Sequence, residues 1–300
     1  MENTALKCTN CHFSNQKLLY EFFDEIDSFY DKKKRLMRVY QCRNCSLIYA
    51  KVHQPKEEKN KLDEIFFKET HLHEEGESRT IRNFDEVLNK IKKYGGYGRL
   101  LDVGCGTGYF LKFAQDRDWE VKGVEIAKNA AQHAKNLGLK VKNASLEKSH
   151  FKKAYFTSIT QLGVIEHVGN PRKLLKESNR ILKKGGVLVI FTPNANSLFH
   201  KLAHIYYKLT SSYFAIKKIY YPRHTFYFTK KTLSDILRKE GFVIKEIQPV
   251  SLDINKQFFL LFEKQKWARN PLLKLSGYTI LALTKLTRTE THMLVYAIKK

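Results

Sequence analysis

Leu100-Leu101-Asp102-Val103-Gly104-Cys105-Gly106-Thr107-Gly108-Tyr109-Phe110-Leu111 decides the fold of this 300-residue chain. An apolar strand, Arg99–Val103, runs into a turn holding three glycines, and a helix, Tyr109–Arg117, starts directly after it. Glycines at 104, 106 and 108 let the backbone turn sharply and let a ligand come close. The first turn of the helix has free N–H groups, which suit a polar or anionic ligand group. The spacing is not the Gly-x-Gly-x-x-Gly of dinucleotide turns. The third glycine arrives one residue early, and an acid, Asp102, precedes the turn. A second acid, Glu125, closes the next strand, Glu120–Glu125, where a carboxylate can take both hydroxyls of a ribose.

Outward from this turn, helices and strands alternate. Upstream, Ile81, Phe84, Val87, Leu88 and Ile91 recur at helical spacing until Gly95-Gly96. Downstream, Lys128–Leu137 reads as a helix, and Leu139–Asn143 and Ser158–Leu162 as strands. Lys173–Lys183 reads as a helix stopped by Gly185-Gly186, with Val187–Phe191 as the strand beyond. Lys231–Glu240 is a helix stopped by Gly241, followed by strands Phe242–Ile247 and Met293–Ile298. This order predicts βαβ units: an α/β, Rossmann-like, mostly parallel sheet with helices on both faces and an antiparallel closing strand. The domain expected over 81–300 carries two apolar insertions, at about 194–222 and 256–288.

The turn and its two acids resemble motif I of class I S-adenosylmethionine-dependent methyltransferases. By that resemblance Asp102, Gly104, Cys105, Gly106, Thr107 and Gly108 cradle the methionine end of S-adenosyl-L-methionine. Glu125 takes the ribose, with Ile126 beside it. Leu162-Gly163-Val164-Ile165-Glu166-His167-Val168 resembles the segment after the fourth strand in small-molecule and sugar-modifying branches. There the strand end, Leu162, touches the cofactor and Glu166-His167 faces the substrate. His224 through Thr229 and Lys239-Glu240-Gly241-Phe242 resemble a later block of the same family. The resemblance covers about residues 80–250 and implies His167 as general base, Glu166 as its partner and His224 as a second candidate. Gly163 stands where ubiquinone-pathway O-methyltransferases carry a further metal-binding Glu, so no catalytic metal is expected.

Four of the five cysteines form two pairs, Cys8-x-x-Cys11 and Cys42-x-x-Cys45, with thirty residues between them. Two such knuckles can close a tetrahedral thiolate site around a structural Zn2+. Residues 1–52 are therefore expected to form a zinc ribbon, and the charged stretch 53–80 a linker. A ribbon ahead of this core resembles bacterial methyltransferases of sugar and cell-surface polysaccharide pathways. The implied acceptor is a sugar or glycan, nucleotide- or lipid-linked.

The apolar fraction of 43% predicts a packed core. No apolar run of about 18 residues marks a membrane span, and residues 1–6 lack a signal-peptide core. A cytoplasmic location is expected. With 54 Lys and Arg against 30 Asp and Glu, the net charge is +24. Such a surface favours anionic partners, including the inner face of an acidic membrane. Nucleic acid is less favoured, since no binding motif accompanies the charge. An RNA methyltransferase, or a membrane-associated scaffold without turnover, stays open as an alternative.

Overall fold

The computed structural model describes residues 7–27, 31–52, 84–250, 282–284, 286–287 and 289–300. The expected linker 53–80 and most of the expected insertion at 256–288 lie outside the described residues.

The N-terminal part folds into three strands, β1 (Gln16–Asp27), β2 (Asp31–Cys42) and β3 (Ile48–Val52), in an antiparallel meander. The chain then alternates in the expected manner: α1 (Phe84–Lys93), β4 (Arg99–Val103), α2 (Tyr109–Gln115), β5 (Glu120–Glu125), α3 (Lys128–Asn136), β6 (Val141–Asn143), β7 (Phe156–Leu162) and α4 (Pro171–Ile181). It continues through β8 (Leu182–Pro193), α5 (Leu198–Thr210), α6 (Phe214–Ile219), β9 (Phe226–Tyr227), α7 (Lys230–Lys239), β10 (Phe242–Val250) and β11 (His292–Lys299).

Seven strands form one sheet in the order β10-β11-β8-β7-β4-β5-β6. Pairings from β6 to β8 are parallel, and β11 runs antiparallel between β8 and β10. The direction of winding reverses at β4, between β5 on one side and β7 on the other. Open α/β sheets bind ligands at such a switch point, beyond the C-terminal strand ends. Both faces of the sheet are buried. Leu101, Val103, Leu188 and Ile190 face one core, while Leu100, Val187, Val189 and Phe191 face the other. This is why Leu100-Leu101 of β4 and Val187–Phe191 of β8 read as apolar runs.

Two findings differ from the sequence reading. Gly185-Gly186 does not separate a helix from a strand. The helix ends at Ile181, and the glycines lie inside β8, where the pairing with β7 shifts register between Phe156 and Ser158. A Cβ on Gly186 would lie 2.9 Å from the Thr157 carbonyl oxygen, so the close approach of two strands selects glycine there. The second finding is that the N-terminal sheet has a fourth strand, β9, supplied from 180 residues further along the chain; Phe226 and Tyr227 pair with Tyr49 and Ile48. Tyr20, Phe22, Met37 and Val39 pack with Ile216 and Tyr220 of the first insertion. The expected insertion at 194–222 is the helical pair α5–α6.

Candidate functional site

The glycine turn leaves the C-terminal end of β4 at the switch point. Gly104, Gly106 and Gly108 have φ of 68°, 54° and 86°, a left-handed conformation open to glycine at no steric cost. A Cβ at Gly104 would lie 2.6 Å from Val164, so the turn nests against the loop that follows β7. Cys105 is buried in the turn, and its sulfur occupies the space beside Gly123 on β5. His133 Nδ1 lies 3.3 Å from the Thr107 carbonyl oxygen.

The two acids are buried behind this turn. Glu125 Oε2 accepts from the Gly106 N–H at 2.9 Å, and Oε1 accepts from the Ala127 N–H at 2.8 Å. Each oxygen keeps a further lone pair for an outside donor. Burial pushes the Glu125 pKa up, against those backbone bonds. Ile126 beside it is exposed, with 64% of its surface open to solvent. Asp102 accepts from Thr160 Oγ1 at 2.6 Å. Burial raises its pKa to about 7, and the Glu125 charge adds to the rise. A cationic amine would offset that cost, and two carboxylates beside a bent backbone fit an adenosyl amino acid. Leu162 ends β7 on the neighbouring strand. Sequence reasoning missed Thr160 and Asn143. Asn143 Nδ2 donates to the carbonyls of Glu125 and Ile126, 2.9 Å each, and so ties the end of β6 to the acidic loop. Thr160 shares its strand with Thr157, Ser158 and Gln161, so nothing local singled it out.

The three residues expected on the acceptor side come together, although 56 positions separate His167 from Arg223 and His224 adjoins it. Glu166 is buried and its Oε2 accepts from Thr192 Oγ1 at 3.0 Å. His167 Nδ1 lies 3.1 Å from the Arg223 carbonyl oxygen. A carbonyl only accepts, so Nδ1 carries a proton and donates to it. The His167 and His224 rings meet edge to face at 4.7 Å. The Glu166 carbonyl accepts from the Thr225 and Phe226 N–H groups at 2.8 and 3.0 Å, which fastens the two segments to each other. One ligand atom from each of Glu166, His167 and His224 lies within 4.8 Å of the others. This spacing suits a proton relay, and it is also open to a cation.

His224 belongs to a set of histidines held neutral. Desolvation is the main cause: it lowers His200 to about 3, His292 to about 4 and His224 well below 6.5, where repulsion from His167, when that ring is protonated, adds to the effect. All three titrate near 6.5 once unfolded. The stability they contribute as neutral groups is full above that value and is lost as pH falls toward 4. Each contributes a slope of up to about 1.4 kcal/mol per pH unit. Urea unfolding is therefore expected to show stability falling steeply between pH 6.5 and 5. His292, whose ring stacks on Phe191 at 5.1 Å, provides the check. His292→Gln should flatten the slope by about one proton. An unchanged slope would remove His292 from the account.

At the turn between β2 and β3, the four cysteines converge. Cys8 and Cys45 sulfurs lie 3.5 Å apart, as do those of Cys11 and Cys42, and all four sit within 4.8 Å of one another. Tetrahedral Zn–S bonds of 2.3 Å put sulfurs about 3.8 Å apart, so the set fits zinc. The two knuckles share one geometry. The Cys8 carbonyl accepts from the His12 N–H at 2.8 Å, and the Cys42 carbonyl from the Ser46 N–H at 2.9 Å. His12 and Ser46 both take left-handed φ, 58° and 61°. The hydrogen bond between Cys8 and Cys45 pulls the Cys45 thiol down and pushes Cys8 up, so that pair shares one proton and holds one thiolate, at Cys45. Arg172 Nη1 reaches His12 Nε2 at 3.2 Å, joining the first knuckle to α4.

A seven-stranded sheet of this order, with a glycine turn and paired acids at its switch point, defines the class I S-adenosylmethionine-dependent methyltransferase fold. The family described as "Methyltransferase domain" matches residues 69–247, more than half of the chain. The chain belongs to that family. Among solved structures, an S-adenosylmethionine-dependent methyltransferase of Thermotoga maritima, described as a possible histamine N-methyltransferase, has a TM-score of 0.51 at 20% identity. That alignment covers 79% of this chain and 99% of the other. The cyclopropane synthase of Mycobacterium tuberculosis has the same TM-score at 21% identity, over 73% of this chain and 84% of its own. These likenesses show the fold. By sequence, a ubiquinone biosynthesis O-methyltransferase of Pelagibacter ubique is 36% identical over 120 residues, covering 38% of this chain and 47% of the relative. An uncharacterized protein of Methanocaldococcus jannaschii is 32% identical over 120 residues, covering 40% of this chain and 56% of its own. The chain thus spans about half the length of the curated relatives it matches. No helix among the described residues is long and apolar enough to cross a membrane.

Proposed function

We propose that the chain transfers a methyl group from S-adenosylmethionine to a hydroxyl of a small-molecule acceptor, which we take to be a sugar or glycan of cell-surface polysaccharide synthesis. The observation that carries the reading is the meeting of two sites across the β4–β7 switch point. The glycine turn nests on Val164, and two residues further on Glu166 and His167 face His224.

S-adenosylmethionine supplies an activated methyl, so the protein's task is alignment and removal of the acceptor proton. Gly104 to Gly108 would let the cofactor approach the backbone, Asp102 would hold its ammonium and Glu125 its ribose. Leu162 and Ile126 line the same place. His167 Nε2, aimed by the bond from Nδ1 to the Arg223 carbonyl, takes the proton from the acceptor hydroxyl. Glu166, held by Thr192, orients the acceptor. The cysteine cluster holds structural zinc and takes no part in proton transfer. The sugar acceptor rests on the order of ribbon and core. A phenolic hydroxyl is the second reading, favoured by the O-methyltransferases among the relatives.

Calorimetric titration with S-adenosylhomocysteine tests the cofactor half. The wild-type chain is expected to bind with a micromolar Kd, and Glu125→Ala at least about tenfold more weakly, for the loss of charged hydrogen bonds. Equal affinity in the two proteins would sink the ribose assignment. Methyl transfer to nucleotide-linked sugars, compared with catechols, separates the two acceptors.

A further inference from the structure

Helix α5 has two opposite faces, one packed and one exposed. Its inner face is committed: His200 and Ala203 are buried, His204 is hydrogen-bonded to Tyr20, and Tyr207 meets Tyr20 edge-on at 5.0 Å. Its outer face carries Leu202, Ile205, Tyr206 and Leu209, all exposed, with Leu209 at 80%. These positions fall at i, i+3, i+4 and i+7, which is one continuous stripe. Lys201 and Lys208, two turns apart, run along one side of it and are exposed. Neither forms an ion pair among the described residues. The stretch before β11 meets the start of α5, where the Leu198 N–H donates to the Thr289 carbonyl at 3.1 Å. Leu286 on that stretch is 81% exposed.

We infer that the outer stripe of α5 docks on an anionic lipid bilayer, lying in the interface plane. Thirteen residues make a helix of about 20 Å, too short to span the hydrocarbon core but suited to lying on it. The leucine stripe would sink into the acyl boundary, with the lysines level with the phosphates. The charge decides between a bilayer and a second copy of the chain. Two copies facing each other would bring together chains of net charge +24, whereas acidic headgroups neutralise the same lysines. The inference goes beyond the proposed reaction and does not depend on it, since vesicle binding is read without turnover.

Sedimentation with phosphatidylcholine vesicles, with and without phosphatidylglycerol, is the test. The wild-type chain is expected to partition about tenfold or more in favour of the mixed vesicles. A chain this basic could adsorb by charge alone, so the deciding protein is the uncharged double variant Ile205→Ser with Leu209→Ser. It keeps every charge and is expected to lose at least about tenfold in partitioning. Both positions are exposed, so an unchanged melting temperature will certify its fold, and Lys201→Glu with Lys208→Glu gives an independent loss. Wild-type binding by the double serine variant would overturn the inference. So would a wild-type dimer in sedimentation equilibrium that dissociates in that variant.

Discussion

Cys42→Ser is expected to purify without the single zinc ion per chain that the wild-type protein should carry, and to unfold at a temperature at least about 10 °C lower. Structural zinc contributes on the order of 10 kcal/mol to folding in small thiolate modules. Part of that is replaced here by packing, because Cys8, Cys42, Leu47 and Tyr49 belong to the same core as Leu101 and Leu188. Even about 4 kcal/mol lost would lower the melting temperature by roughly that much. The consequence reaches the acceptor side through backbone bonds. The Ala50 N–H donates to the Thr225 carbonyl at 2.9 Å, and β3 pairs with β9. Thr225 and Phe226 in turn hold the Glu166 carbonyl. Loosening β3 should therefore lower kcat while affinity for S-adenosylhomocysteine stays near wild type, since the glycine turn rests on Val164, β5 and α3. Metal analysis, a melting curve and a titration on the same preparation settle the matter. A wild-type chain that is folded and metal-free would remove the zinc, and unaltered turnover in the variant would remove the coupling.

The parts that could be read in the sequence are those fixed by neighbours along the chain. Asp102 to Gly108 is legible because a glycine triad at positive φ leaves few alternatives. The strand Glu120–Glu125 is legible because Val121 and Val124 lead to an acid the right distance beyond the glycine turn. The cysteine knuckles are legible because four-residue spacing encodes a local turn. What stayed hidden depends on distant partners. Thr225 to Thr229 is made of β-forming residues, but nothing local says where they pair; Phe226-Tyr227 becomes β9 against the edge of β3. Gly185-Gly186 reads as a helix stop because nothing local records that the Thr157 carbonyl of β7 leaves no room for a Cβ at Gly186. Both His167 and His224 were visible as residue types, but their contact depends on the Glu166 carbonyl gathering Thr225 and Phe226. The outer stripe of α5 was apolar in sequence, and only the packing of its opposite face showed that it was left over.

His167→Ala is expected to lower kcat by about 10² to 10⁴ with S-adenosylhomocysteine affinity unchanged, the cost of losing a positioned general base. His224 is the competing candidate, and the electrostatics argue against it. Desolvation, with repulsion from a protonated His167 second, holds its pKa well below 6.5, so it stays neutral across the neutral range and is a weak base there. Its edge against the His167 ring at 4.7 Å, and the Arg223 carbonyl beside it, make it a residue that positions His167. A base and its positioner fail together, and their losses do not add. The double variant His167→Ala with His224→Ala should therefore be no slower than His167→Ala alone, while His224→Ala by itself should give an intermediate kcat with the same pH profile as wild type. Losses that multiply would make the two histidines independent. A pH profile altered by His224→Ala but not by His167→Ala would exchange their roles.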